Sequence, residues 1–280
     1  MKLGYSTWGM PTVSVATSFK YLADLGFDGV ELTVIPGYTT ELRKLNTRER
    51  RHIQQLLSQH RLMLSAISAH SNLVSHDHET YTTNVTRLKG AIDLAAELAQ
   101  DKIVPVVIST SGNSLQKWDA IKDLLVERTR KIVEYAETQH VTFAVEPHIG
   151  AVIDTPQKML QLLKFVDSPH LKVNLDISHF DVMGLSNEET IDVLESYIVH
   201  THVKDQCGHV PDFEFRIPGE GTFDYVQYLK ALRNANYDGF ITVEISVMVQ
   251  RRPNYDPFAA ATLSYQTLTQ AFTEAGIPRK

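Results

Sequence analysis

Val173-Asn174-Leu175-Asp176-Ile177-Ser178-His179-Phe180 is the stretch whose reading decides the fold of this chain. It begins as an alternating, β-branched strand and ends by presenting a carboxylate and, three residues later, an imidazole. Apolar scaffold thus turns into coordinating chemistry near Asp176. Taken alone, Asp-x-x-His is a weak signal, because on a loop it is more often a capping Asp with a nearby histidine than a ligand pair. It gains weight because other strand-like segments of the chain also end in a carboxylate or a histidine.

Upstream of that stretch, hydrophobic periodicity marks strands at Lys2–Thr7, Val30–Leu32, Leu62–Ile67, Ile103–Ile108 and Val141–Glu146. Pro105 has no amide to donate, which weakens the start of the fourth. Downstream lie Tyr197–Asp205 and Phe240–Glu244. Helical spacing or capping places helices at about Val13–Leu25, from the Asn46 cap to Gln59, and at Thr80–Ala99, Leu115–Gln139, Thr155–Val166, Asn187–Glu195, Asp224–Asn234 and Phe258–Ala275. Gln206–Gly221 reads as a long loop.

Strands and helices therefore alternate eight times, and 280 residues divided by eight give 35 per unit. That pitch suits an α/β chain forming a single-domain (β/α)8 TIM barrel over residues 1–280. Two segments, Gly26-Phe27-Asp28-Gly29 and Asn236-Tyr237-Asp238-Gly239, use the same aromatic-Asp-Gly turn between helix and strand. An open doubly wound sheet would want a Gly-x-Gly-x-x-Gly phosphate loop, which is absent.

Composition narrows the function classes. Hydrophobic residues make up 43% of the chain, enough for a full core, and 27 basic against 33 acidic side chains leave a formal net charge of −6. A chain so charged repels a phosphate backbone, so no nucleic-acid partner is expected. The lone Cys207 excludes an intramolecular disulfide and fits a reducing cytoplasm. Met1–Trp8 lacks the apolar run of a signal peptide, and no later apolar run approaches ~18 residues. The expectation is a soluble, cytoplasmic protein without a membrane partner; its composition does not decide between monomer and homo-oligomer.

In a parallel barrel all strand C-termini meet on one face, so the strand ends are where chemistry converges. They carry Trp8, Glu31, His70, Ser109, Glu146, Asp176 with His179, His202 with Lys204, and Glu244. Glu146, Asp176, His202 and Glu244 end four successive strands. Three carboxylates and a histidine crowded there raise each other's pKa unless a cation compensates them. A divalent metal resolves the conflict, and an oxygen-rich set with one imidazole suits Mn²⁺ first, then Co²⁺ or Mg²⁺, with Zn²⁺ also accommodated. Lys204 is either a further source of positive charge for substrate oxygens or a structural partner of Asp205 or another nearby acid. Trp8 walls the pocket in this arrangement.

With these residues in place the chain resembles the xylose isomerase-like barrels, the superfamily of sugar isomerases and epimerases that also includes endonuclease IV. The motifs that carry the likeness are Val-Glu146-Pro-His148, Leu-Asp176-Ile-Ser-His179, His200-Thr-His202-Val-Lys204-Asp205, Arg216-Ile-Pro-Gly-Glu-Gly and Val-Glu244-Ile, spread over nearly the whole length. The resemblance implies one divalent ion on Glu146, Asp176, His202 and Glu244, with Glu146 and Glu244 doubling as the acid/base pair and His179 and Arg216 contacting substrate oxygens. It implies an isomerase or epimerase of a sugar, sugar phosphate or polyol ketone, working by proton transfer through an enediolate. Ketose 3-epimerases of the superfamily commonly carry a further glutamate where this chain has Val152, so His148 or another loop would supply those contacts; His70, past the third strand, joins the same rim. A lyase such as an inosose dehydratase needs the same proton abstraction, and a non-catalytic sugar-binding barrel could share the ligands. The trinuclear nuclease pattern fails at two places: Ser109-Thr110 stand where it has a histidine, and Arg216-Ile217-Pro218 occupy the region of its Asp-x-His.

Overall fold

The helix ends repeat one local solution. At Gly26, Arg61, His140, Asn236 and Gly276 the backbone turns left-handed, with φ of 103°, 56°, 56°, 58° and 65°. The amide one residue on then bonds back five residues, Phe27 to Leu22, Leu62 to Leu57, Val141 to Ala136, Tyr237 to Leu232 and Ile277 to Phe272. Each such closure satisfies carbonyls that the last helical turn leaves open and swings the chain away from the helix axis. Four of the five lead directly into a strand, and the two aromatic-Asp-Gly segments are among them.

In this computed structural model, which describes residues 1–279, the strands are β1 (Lys2–Ser6), β2 (Gly29–Thr33), β3 (Met63–Ser68), β4 (Val106–Thr110), β5 (Phe143–Glu146), β6 (Leu171–Asp176), β7 (Ile198–Val203), β8 (Asp205–His209), β9 (Asp212–Arg216) and β10 (Phe240–Val243). All but β8 and β9 close into a parallel barrel in the order β1-β10-β7-β6-β5-β4-β3-β2. Around it run α1 (Val15–Leu25), α2 (Thr47–His60), α3 (His78–Glu97), α4 (Trp118–Thr138), α5 (Pro156–Val166), α7 (Asn187–Leu194), α8 (Tyr225–Asn234) and α10 (Pro257–Ala275); α6 (Ile177–Asp181) and α9 (Val247–Gln250) are short turns after β6 and β10. Among the described residues no helix is long and apolar enough to cross a membrane.

The structure departs from the sequence reading at two helix starts, at one strand start and in one loop. The first helix begins at Val15 because the Ser14 side chain caps it by accepting from the Thr17 amide, and the fourth waits until Trp118. Strand β4 starts at Val106, since Pro105 lacks a donor and Ile103 is spent in an isolated bridge with Gln100. The expected loop after β7 contains the antiparallel hairpin β8–β9, in which Asp205 pairs with Arg216 and His209 with Asp212. The sixth strand, by contrast, ends at Asp176 as its sequence implies, and there the carboxylate accepts from the Ser178 amide at 3.1 Å and so nucleates α6.

Alternation sorts the barrel's side chains. On β6, Val173 and Leu175 join the large core between sheet and helices, while Asn174 and Asp176 face the lumen opposite His200 and His202 of β7. Ala66, Ile108 and Ala144 form a separate small cluster, packed with Val106 and Val199. Ala144 lies two residues before Glu146 on the same side of β5, so the polar site rests on an apolar floor. Where β2 enters, strands and rings approach too closely for any side chain. A Cβ at Gly29 would lie 2.6 Å from the Met63 carbonyl oxygen and from the Phe240 ring. Gly29→Ala should therefore cost about 1–3 kcal/mol by overpacking, read as a lower urea midpoint with an unchanged slope; an unmoved midpoint would show that β2 and β3 can part without cost.

Candidate active site

Glu146 closes β5, Asp176 closes β6, His202 lies on β7 and Glu244 follows β10, and all four are buried. Each offers a ligand atom, and these atoms all lie within 4.8 Å of one another. His202 directs Nδ1 at the carboxylates, 3.1 Å from Glu146 Oε2 and 3.5 Å from Glu244 Oε1. Asn174, which the sequence reading passed over, donates to Glu146 Oε2 at 2.7 Å and stands 3.1 Å from His202 Nδ1. The Ser178 hydroxyl donates to Asp176 Oδ1.

Three carboxylates buried this close need positive charge, and Lys204 and His202 supply it. The fully buried Lys204 ammonium is bonded to Asp176 and lies 2.8 Å from Glu244 Oε2. Its partner is therefore not the adjacent Asp205. That carboxylate instead accepts the amides of Gln206, Gly219 and Phe223 and ties down the segment leading to α8. Burial works against the charge of Lys204, but Asp176 and Glu244 outweigh it and hold the ammonium above its ordinary pKa. Burial likewise pushes Glu146 up, yet the His202 imidazole beside it wins and holds that carboxyl at about 2. Asp176 is held well below the usual carboxylate range, its burial outweighed by Lys204 and His179. His202 is raised well above an ordinary imidazole, because Glu31 and Glu244 overcome its burial.

Above these groups opens a cavity of about 590 Å³, lined by Trp8, His70, Glu146, His148, His179, Lys204 and Glu244 together with residues of the surrounding loops. His179 sits on α6, which folds it back so that Nε2 is 3.3 Å from Asp176 Oδ2 and 3.8 Å from Glu146 Oε1. Both its ring nitrogens are buried without a hydrogen-bond partner, and burial lowers its pKa. Buried polar atoms left without partners on a residue that lines a cavity are candidates for contact with a ligand. His148 stacks on His179 with ring centroids 3.8 Å apart, His70 stands 4.0 Å from both Glu146 and Glu244, and Trp8 packs edge-on against His70.

The hairpin read as a loop contributes Phe213 and Phe215 to the cavity wall, and Phe215 meets both His179 and Lys204. Arg216, the next residue, is elsewhere: its guanidinium pairs with Glu214 and donates to the Glu220 carbonyl, outside the cavity lining. Alternation along β9 explains the difference, since successive side chains leave opposite faces. Val152 is buried in the main apolar core and does not line the cavity. Ser109 is also buried, but its hydroxyl is spent on the Ser71 segment.

The donor set fits a divalent cation. It offers three carboxylates and one imidazole nitrogen from four rigid strand ends, already drawn together and balanced by protonated side chains that a cation could replace. Aligned with known families, residues 19–262 match the model described as "Xylose isomerase-like TIM barrel". Fructoselysine 3-epimerase of Shigella flexneri is 23% identical over 263 residues, covering 90% of this chain and 93% of the relative. Inosose isomerase of Halalkalibacterium halodurans is 24% identical, covering 93% and 91%. A crystal structure of IOLI protein with a binding zinc atom superposes with a TM-score of 0.79 at 20% identity, over 98% of both chains. The two sequence relatives are thus a 3-epimerase and an isomerase. Because Glu31 and Glu244 favour the protonated form of His202 and a ligating imidazole must give up its Nδ1 proton, ion uptake should release a proton. Apparent affinity for Mn²⁺ should then rise with pH near neutrality, by up to about tenfold per unit for one proton; chelator competition at several pH values measures it, and a flat profile contradicts the assignment of His202.

Proposed function

The chain belongs to the xylose isomerase-like TIM barrel family, and from that premise we propose that it is a divalent-metal-dependent isomerase or epimerase of a sugar, sugar phosphate or polyol ketone. One observation carries the reading. Glu146 and Glu244 belong both to the four-residue ligand cluster and to the cavity wall, so they can reach a substrate carbon beside whatever the cluster holds. The cluster would hold one divalent ion, Mn²⁺ by preference for its oxygen-rich donors. Bound there, the ion would polarise the substrate carbonyl and offset the charge of an enediolate.

The side chains supply the rest. Asn174 and His202 engage Glu146 Oε2, while Oε1 points toward His179 at 3.8 Å, beyond hydrogen-bond reach. Glu146 Oε1 is thereby the oxygen left to take an α-proton. Glu244 comes from the opposite side of the ligand cluster, after β10, and is positioned to return a proton to the other face of that carbon, which inverts it. Return to the neighbouring carbon instead would interconvert aldose and ketose. His179 and Lys204 hold the substrate's oxygens, and Lys204 adds fixed positive charge where negative charge develops. His70, His148 and Trp8 shape the rim, and the phenylalanines of the hairpin keep water from the intermediate.

Incubating Mn²⁺-loaded protein with a panel of ketoses, inososes and their phosphates in D₂O tests the proposal. Recovered sugar should carry deuterium at an α-carbon, and chelation should abolish the exchange. Loss of water from the substrate would instead make the protein a dehydratase, and cleavage of abasic DNA would revive the nuclease reading. Glu146→Gln and Glu244→Gln should each lower kcat by about 10²–10⁴, whereas full turnover in either variant would remove that carboxylate from proton transfer.

A further inference from the structure

Glu31 is a buried carboxylate that none of these steps uses. Glu31, in the middle of β2, is fully buried, and β2 does not neighbour β7 in the barrel. Its side chain therefore crosses the lumen to reach His202, whose Nε2 lies 2.6 Å from Glu31 Oε2. The other carboxylate oxygen accepts the Ser6 hydroxyl of β1 at 2.5 Å, and His200 Nε2 stands 3.3 Å from Oε2 with no hydrogen-bond partner of its own. Among the described residues no lysine or arginine pairs with Glu31, and the charge of this buried group is answered there by imidazoles and a hydroxyl. Leaving such a charge deep in a barrel is costly unless its partners are fixed.

We propose that Glu31 is a positioning residue for the ion that the ligand cluster would hold: its carboxylate accepts a hydrogen bond from the Nε2–H of His202, fixes the imidazole in that tautomer and ring orientation, and thereby commits Nδ1 to the ion. This rests on the functional reading above and deepens it. An imidazole whose far N–H donates to a carboxylate is a stronger and better-oriented ligand than one left to rotate. The arrangement also explains why two histidines on the same face of β7 fare differently. His202 is clamped between Glu31 on one edge and Glu146 on the other, whereas His200, one pleat earlier, faces Glu31 alone and has no contact with the ligand carboxylates.

Glu31→Gln keeps the volume and removes the charge, which makes it the informative variant, with circular dichroism and thermal melting of the metal-free protein to confirm folding. Two quantities are read in parallel on wild type and variant: Mn²⁺ or Zn²⁺ affinity by chelator competition, and ¹⁵N shifts of histidine-labelled protein, free and Zn²⁺-loaded. The expected result is an affinity loss of about 10–100-fold, with His202 of the wild type protonated on Nε2 and bound through Nδ1 and this pattern disturbed in the variant. Wild-type affinity together with an unchanged His202 signature in Glu31→Gln would overturn the positioning role while leaving the functional reading intact. Failure of the wild type itself to bind any divalent ion would overturn both. Binding of two equivalents by the wild type, the second lost in Glu31→Gln, would make Glu31 a ligand of another ion and also overturn the proposal. Should the glutamine variant fail to fold, Ser6→Ala, which removes the hydroxyl from the other carboxylate oxygen, reads the same two quantities; unchanged values there would equally overturn it.

Discussion

Three carboxylates gathered at one buried point are the constraint on which the rest of this structure depends. Glu146, Asp176 and Glu244 arrive from separate strands, and nothing in a barrel's packing favours bringing like charges together out of water. They are tolerated because the protein supplies compensating groups from the strand between two of them: Lys204 bonded to Asp176 and Glu244, and His202 facing Glu146. Asn174 and Ser178 satisfy remaining lone pairs. The result is a set of candidate ligands drawn together at strand ends and balanced by an ammonium group and an imidazole. Such an arrangement is expensive as architecture alone and makes sense as a site.

The surrounding elements serve that point. The apolar floor of Ala66, Ile108 and Ala144 seals the lumen beneath it, and the capped turn at Asp176 bends the chain into α6 so that His179 covers the carboxylates from above. The hairpin β8–β9 then lays Phe213 and Phe215 along the wall. Ile149, Val247 and Met248 add apolar surface to the same cavity, and Asn113 and Arg251 add polar groups.

Much of this was legible in the chain because parallel strands buried on both faces write themselves as apolar runs, and because strand ends in such a barrel converge. Asp176, Glu146, His202 and Glu244 were visible as strand ends, and their meeting follows from closure of the sheet. What escaped the sequence has physical reasons. Asp205–His209 and Asp212–Arg216 are too polar for a strand pattern, since the hairpin packs only one side against the site. Asn174 looked like an ordinary alternation residue because its role lies in an amide contact across β6 to β5. Glu31 appeared among the strand ends, but its reach across the lumen to His202 depends on barrel geometry that no local spacing encodes. Arg216 came from motif likeness alone, and the alternation of β9 turns it toward Glu214 instead of the cavity.

The central claim is that four strand-end side chains form one divalent-ion site, and anomalous diffraction from crystals grown with Mn²⁺ tests it directly. The account predicts one strong anomalous peak, bounded by Glu146, Asp176, His202 Nδ1 and Glu244. Crystals that hold Mn²⁺ only elsewhere, or that keep the four side chains together around Lys204 with no peak among them, would contradict it.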